Sequence, residues 1–189
     1  MKDRIIQYLW TDDIDLLNVY VILDAARSRE IYESVLSSYL EWVCLYSGNI
    51  PRQLAMVAPY LVKLKPAHFF TDFVIEEGWG QSWGIFLRSA AELEELRKHF
   101  HSFLTVETEE GKRMVFRYYD PRVLRVYLPT CNPAELTTVF GPTERFVLED
   151  RDSSNLIDFQ LVGGCLTTER HSLLQAFVKK TGAEENLTP

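Results

Sequence analysis

Phe116-Arg-Tyr-Tyr-Asp-Pro-Arg-Val-Leu-Arg-Val-Tyr-Leu-Pro-Thr130 joins the end of a strand to the start of a short helix. Asp120 can accept from the free amides of a first helical turn. Pro121 brings a preset φ and lacks only an amide proton that would have no partner there. Pro129 then ends the helix after about two turns. Arg117, Arg122 and Arg125 lie in the stretch and Arg113 just before it, in a chain of formal net charge -7. It holds no nucleophile, metal-ligand cluster or phosphate loop, and reads as a recognition surface or a rigid corner.

Upstream, Leu17 to Leu23 reads as a buried strand. Ile31, Val35, Leu36 and Tyr39 then recur at helical spacing. Trp42 to Tyr46 is a second apolar run, closed by the turn signal Ser47-Gly-Asn49, and Tyr60 to Leu64 a third. Pro66 is expected to open a helix with Phe69, Phe70, Phe73 and Val74 inward and Gly78 at its end. Trp83 to Arg88 is a fourth strand. Ser89 and Glu92 match a capping box for a helix whose inner face is Leu93, Leu96 and Phe100. Phe103 to Glu107 and Met114 to Tyr118 flank Glu109-Glu-Gly-Lys112 as a hairpin. Downstream, Asn132-Pro133 repeats the helix start of Asp120-Pro121. Arg145 to Glu149 and Leu156 to Val162 follow as strands, and Thr168 as the cap of a last helix with Leu173, Leu174, Phe177 and Val178 inward. The expected fold is α/β: one mixed, partly antiparallel sheet flanked by helices. Residues 1–150 form the main domain, and 151–189 a short, partly helical C-terminal extension with a frayed tail.

A chain of 189 residues, 47% of them hydrophobic, suffices for one sizeable core. A pI near 5.2 argues against a general nucleic-acid binder, which needs a basic face. Cys44, Cys131 and Cys165 lack CxxC spacing and fit buried thiols in a reducing compartment. The N-terminus shows neither a secretory signal nor a run long enough to span a membrane, so a cytoplasmic location is expected.

Four segments, Val19 to Arg27, Ala58 to Val62, Gly78 to Ser89 followed by Leu96-Arg-Lys-His99, and the stretch around Pro121, stand in one order and spacing. Together they resemble the adaptor-chaperone domain of bacterial type VI secretion, first catalogued as a domain of unknown function. The resemblance covers residues 17–146. It implies a cytoplasmic, non-enzymatic adaptor and chaperone that binds a toxin effector and helps load it onto the valine-glycine-repeat (VgrG) spike protein. Neither cofactor, metal nor nucleic acid is expected. Within these segments Asp24, Arg27, Pro59, Trp79, Gly80, Trp83, Gly84, His99 and Pro121 are read as structural positions.

Chemistry-bearing patterns compete with that reading. Gly80-Gln-Ser-Trp-Gly84 spells GxSxG, the nucleophile elbow of α/β-hydrolases, which would make Ser82 a nucleophile with a downstream acid and His171. That mechanism needs a strand before the serine and a helix after it, whereas here the order is reversed. His99 and His101 lack the further ligands of a zinc site, and His68 and His171 are isolated along the sequence from any ligand motif. Asp24, at a strand end, is either a small-ligand carboxylate of an open α/β sheet or a capping carboxylate paired with an arginine. The arginines solvate a face, rigidify the corner, or anchor a partner. On the last reading Arg117, Tyr119, Asp120, Arg122 and Arg125 are the candidate protein-binding residues.

Overall fold

The structure, a computed structural model, describes residues 1–10, 17–107 and 110–174. Its centre is β1 (Asn18–Asp24), the strand with the most continuous apolar run. Side chains alternate along it: Val19, Val21 and Leu23 enter one core, Tyr20 and Ile22 the other. A strand buried on both faces needs cover on both, and the molecule is accordingly a helix–sheet–helix sandwich. β2 (Trp42–Cys44), β3 (Pro59–Lys63), β4 (Gly84–Ser89), β7 (Arg145–Glu149), β8 (Asn155–Val162) and β9 (Cys165–Ser172) complete a seven-stranded sheet of order β2-β3-β1-β4-β7-β8-β9. Each of its ladders is antiparallel. The α/β class is as expected, and the described pairing is antiparallel throughout rather than mixed.

Beneath one face lie α1 (Lys2–Leu9), through Ile5 and Leu9, α2 (Arg29–Leu36), through Ile31 and Val35, and α4 (Phe69–Gly78), through Phe70, Val74 and Ile75. The other face takes α5 (Leu93–Ser102), through Leu96 and Phe100, α6 (Pro121–Tyr127), through Leu124, and α7 (Pro133–Phe140), through Leu136, Val139 and Phe140. The short α3 (Arg52–Ala55) links β2 to β3. β5 (Thr105–Glu107) and β6 (Arg113–Val115) pair only with each other, so the expected hairpin forms a separate, exposed ribbon.

Gly84 shows how closely the central strands approach. It lies opposite Leu23, and a Cβ there would sit 2.0 Å from the Ile22 carbonyl oxygen. A backbone atom cannot move aside, so the position admits only glycine. Gly141 ends α7 at φ +48, where a Cβ would collide with the His99 ring at 2.2 Å.

Several local expectations give way to tertiary context. Leu36 and Tyr39 follow the helical period but are exposed, because α2 ends at Leu36 and Tyr39 turns out at φ +58. α4 starts at Phe69 rather than Pro66: His68 caps it by accepting from the Phe70 amide through Nδ1 at 3.2 Å, and Phe69 faces out. The Ser89–Glu92 capping box does not form. Ser89 still belongs to β4, and its Oγ donates to the Pro142 carbonyl at 2.6 Å, tying that strand to the loop after α7. Thr168 starts no helix: it lies within β9, because Cys165–Ser172 pairs along β8. Leu173 is buried and Leu174 exposed. Phe177 and Val178 lie outside the described residues. The cysteines are free, but Cys165 is exposed and the other two are only partly buried.

Candidate functional site

The strand ends nearest Asp24 gather the residues that the sequence sets apart. Asp24 closes β1 opposite Pro59, and its amide donates to the Trp83 carbonyl at 2.8 Å. Its side chain lies on the α6 face of the sheet, where Arg117 Nη2 donates to Oδ2; Oδ1 accepts from the Ala26 amide at 3.1 Å. The expected pairing with a nearby arginine is therefore with Arg117, ninety-three positions along the chain. Arg27 donates instead to the Gln81 carbonyl at 3.0 Å, and α2 is capped by Ser28.

Asp120 caps α6 as its sequence suggests, accepting from the Arg122 amide at 2.9 Å with Pro121 at the first helical position. The same carboxylate also receives the Arg122 side chain as a fork, from Nε at 2.9 Å and Nη2 at 2.6 Å. Arg117 Nη2 lies 3.7 Å from it and so bridges Asp24 and Asp120. Burial alone would raise the Asp120 pKa, but the Arg122 bonds and the neighbouring guanidiniums outweigh it and hold the group below the usual carboxylate range. Burial likewise works against the Arg117 charge, yet the hydrogen bond and charge of Asp24 raise its pKa above the ordinary value.

Behind these pairs stands an aromatic wall. Tyr118 stacks on Phe100 with centroids 5.6 Å apart and donates to the Phe100 carbonyl at 2.9 Å. Tyr119 meets Tyr118 edge-on at 5.4 Å. Both rings are buried, so Tyr119 supports the arginines from within the core. Burial first, and then the Asp24 charge, push the Tyr119 hydroxyl pKa upward. Arg125 points back rather than out: its Nη1 reaches the Glu149 carbonyl at 3.5 Å.

Glu149 is the member that the motifs miss. It ends β7 on the opposite face, and its carboxylate accepts from the Gly80 amide at 2.5 Å and from the Ser82 amide and Oγ, each at 3.1 Å. An acid closing the apolar strand Arg-Phe-Val-Leu-Glu is the trace it leaves in the sequence. The Gly80–Gly84 turn is thus held by an anion and by Trp79, whose Nε1 donates to the Ser153 carbonyl at 2.7 Å. Trp83 packs on Phe73 with centroids 5.4 Å apart.

Ser82 has a left-handed φ of +56, as a nucleophile elbow would require. Its setting is otherwise reversed, with α4 before it and β4 after it, and its hydroxyl is directed to a carboxylate rather than an imidazole. The cavity at this end of the sheet, lined by Gly78, Trp83, Gly84 and Glu149 among others, measures about 10 Å³, room for one water. His99 lies away from this end, in the last turn of α5, and its Nε2 donates to the Val139 carbonyl at 3.0 Å. Burial lowers its pKa against the smaller effect of that bond, so the neutral ring is favoured. Among the described residues no group of three or more His, Cys, Asp or Glu side chains is placed to hold a metal. No described helix is long and apolar enough to cross a membrane.

The site is therefore a charge network built on strand ends, with its carboxylates inside and its guanidiniums outside. Asp24 and Asp120 are 1% and 2% exposed, whereas the side chains of Arg117 and Arg122 are 43% and 46% exposed. Such an arrangement is suited to holding a surface in one geometry and offering cationic donors from it. Comparison with curated proteins gave no match, and comparison with solved structures gave none. The segments that build the network fall within residues 19–138 except for Glu149, and over that range the chain matches a family model: it belongs to the family described as a domain of unknown function (DUF4123).

Proposed function

We propose that the chain is a non-enzymatic adaptor and chaperone of bacterial type VI secretion, which binds a toxin effector in the cytoplasm and helps load it onto the VgrG spike protein. The observation that supports the reading is the convergence, at one end of the sheet, of parts of the segments that resemble that adaptor domain. The Asp24 end of β1, the start of β3 at Pro59, the Gly80 to Gly84 turn and the Arg117 to Arg125 corner are distant in sequence. They share one end of the sheet and are cross-linked there by the Asp24–Arg117 and Trp83–Asp24 bonds. A site of this kind has rigid backbone, exposed guanidinium donors and little internal volume, which suits protein recognition better than turnover of a small substrate.

The test is co-expression with the genomic neighbours of this chain, asking whether a spike protein and a large toxin co-purify with it. A stable complex with the toxin, and weaker toxin accumulation when the chain is deleted, is the expected result. A toxin that folds, accumulates and reaches the spike without the chain would overturn the reading. The hydrolase alternative needs Ser82 as its nucleophile, and assay of simple esters with the Ser82→Ala variant decides it.

A further inference from the structure

We propose that Arg27, Arg117 and Arg122 form a docking site for an acidic segment of a partner protein, one whose Asp or Glu carboxylates take the outward-facing guanidinium donors. The inference rests on the adaptor reading above for the identity of the partner, and on the geometry of the network for its chemistry.

Long cationic side chains normally lose rotamer freedom when a partner binds, which weakens association. Here that ordering is already present. Asp120 grips Arg122 through two nitrogens at 2.6 and 2.9 Å, Asp24 holds Arg117, and the Gln81 carbonyl holds Arg27 at 3.0 Å. Each guanidinium has five N–H donors in a planar fork, so a bond or two to the interior leaves others directed to solvent. The compensating acids cannot compete from outside. Asp24 and Asp120 are buried, and Glu149 is occupied by the Gly80 and Ser82 amides. At Arg117 and Arg122 the result is a cationic outer layer over anions that are sealed beneath it, on a chain whose formal net charge is -7. That overall charge repels a long polyanion such as nucleic acid, while a short acidic segment meets the local field within about a Debye length, ~8 Å at physiological salt. A guanidinium fork fits carboxylate and phosphate alike, so the shared chemistry is an oxyanion, and the polypeptide source is the one the adaptor reading favours.

The experiment uses the full chain and a fluorescently labelled hexaglutamate peptide, with anisotropy recorded over a salt series. Saturable binding that weakens as salt rises is expected. The double variant Arg27→Gln with Arg122→Gln should lose at least tenfold in affinity, and Arg122→Lys, which keeps the charge without the fork, should lose less. Arg27→Gln alone should still fold, because the Arg27 side chain is exposed and bonds a backbone carbonyl; it should lose about threefold, corresponding to less than 1 kcal/mol. Arg29→Gln, which removes a surface pair with Glu33, should leave binding unchanged. Absence of peptide binding, or equal binding by the double variant, overturns the docking site. Competition by inorganic phosphate at the same concentration as the peptide overturns the polypeptide assignment. The adaptor reading fails separately: in that case no toxin co-purifies with the unaltered chain, whatever the peptide does.

Discussion

Asp120-Pro121 and Asn132-Pro133 are the same instruction written twice, yet they produce different structures. Both place an oxygen acceptor at a helix N-cap and a proline at the first helical position. At Asn132 the result is purely local. Its Oδ1 accepts from the Ala134 and Glu135 amides at 3.0 Å, and the Asn132 amide in turn donates to the Glu135 carboxylate at 2.8 Å, all at the surface. At Asp120 the cap is the buried half of an ionic network that fastens α6 to the end of β1. A cap is a property of a few adjacent residues. Whether it also carries charge across the molecule depends on what the fold brings beside it.

Substitution by alanine separates the two caps most clearly. Asn132→Ala should cost about 1 kcal/mol, the ordinary value of a lost N-cap. Asp120→Ala removes a cap and also leaves Arg117 and Arg122 without their shared anion, so about 2–3 kcal/mol is expected. Thermal unfolding of the two variants checks this, and equal losses would show that the ionic network adds nothing to the cap.

Acid titration sharpens the same contrast, because Asn132 has no proton to gain. The Asp120 pKa is depressed in the fold, so its contribution is complete above the unfolded value of about 3.9 and disappears as pH falls through the lower folded value. The stability difference between the unaltered chain and Asp120→Asn should therefore shrink as pH falls below about 4. A difference that stays constant from neutral to acid pH would place the Asp120 effect in its hydrogen bonds rather than its charge.

Ser82→Ala probes the other acid at this end of the sheet. Loss of the hydroxyl bond to Glu149 should cost about 1 kcal/mol, with the two amide bonds still holding the turn. Ester turnover should be undetectable in both proteins. Robust turnover abolished by this one change would restore the hydrolase reading.

The smallest effect is expected at Tyr39, which is 92% exposed at φ +58 and lies outside both capped helix starts. Glycine accepts that backbone without strain, so Tyr39→Gly should shift stability by no more than about 1 kcal/mol, in the stabilising direction. A large destabilisation would reveal a packing role that the exposed ring does not suggest.

Much of the fold is legible in the sequence because it is local or periodic. The apolar run of β1, the apolar faces of α4 and α5, and both Asx-Pro helix starts depend on residues within a turn or two of one another. The failures occur where a distant partner outweighs a local preference. Ser89 and Glu92 spell a capping box, but β4 claims Ser89 and the Pro142 carbonyl takes its hydroxyl. Thr168 precedes an apolar helical spacing, but β8 offers a full ladder of backbone partners to Cys165–Ser172. At the candidate site the arginines and Asp120 stand out in one stretch, whereas Glu149 is marked only by an acid at the end of an apolar strand.

By itself, the sequence determined the α/β class, the buried first strand, the two capped helix starts and the order of segments by which the family is recognised. Each of these is set by side-chain periodicity or by bonds between near neighbours. Tertiary structure alone decided that Asp24 pairs with Arg117 rather than Arg27, that Tyr119 and Arg125 turn inward while Arg117 and Arg122 face out, and that Glu149 closes the serine turn. The physical reason is that an ion pair across ninety-three residues depends on where strands end in space. A buried carboxylate takes whichever cation the packed core brings within reach, and no spacing along the chain encodes that distance.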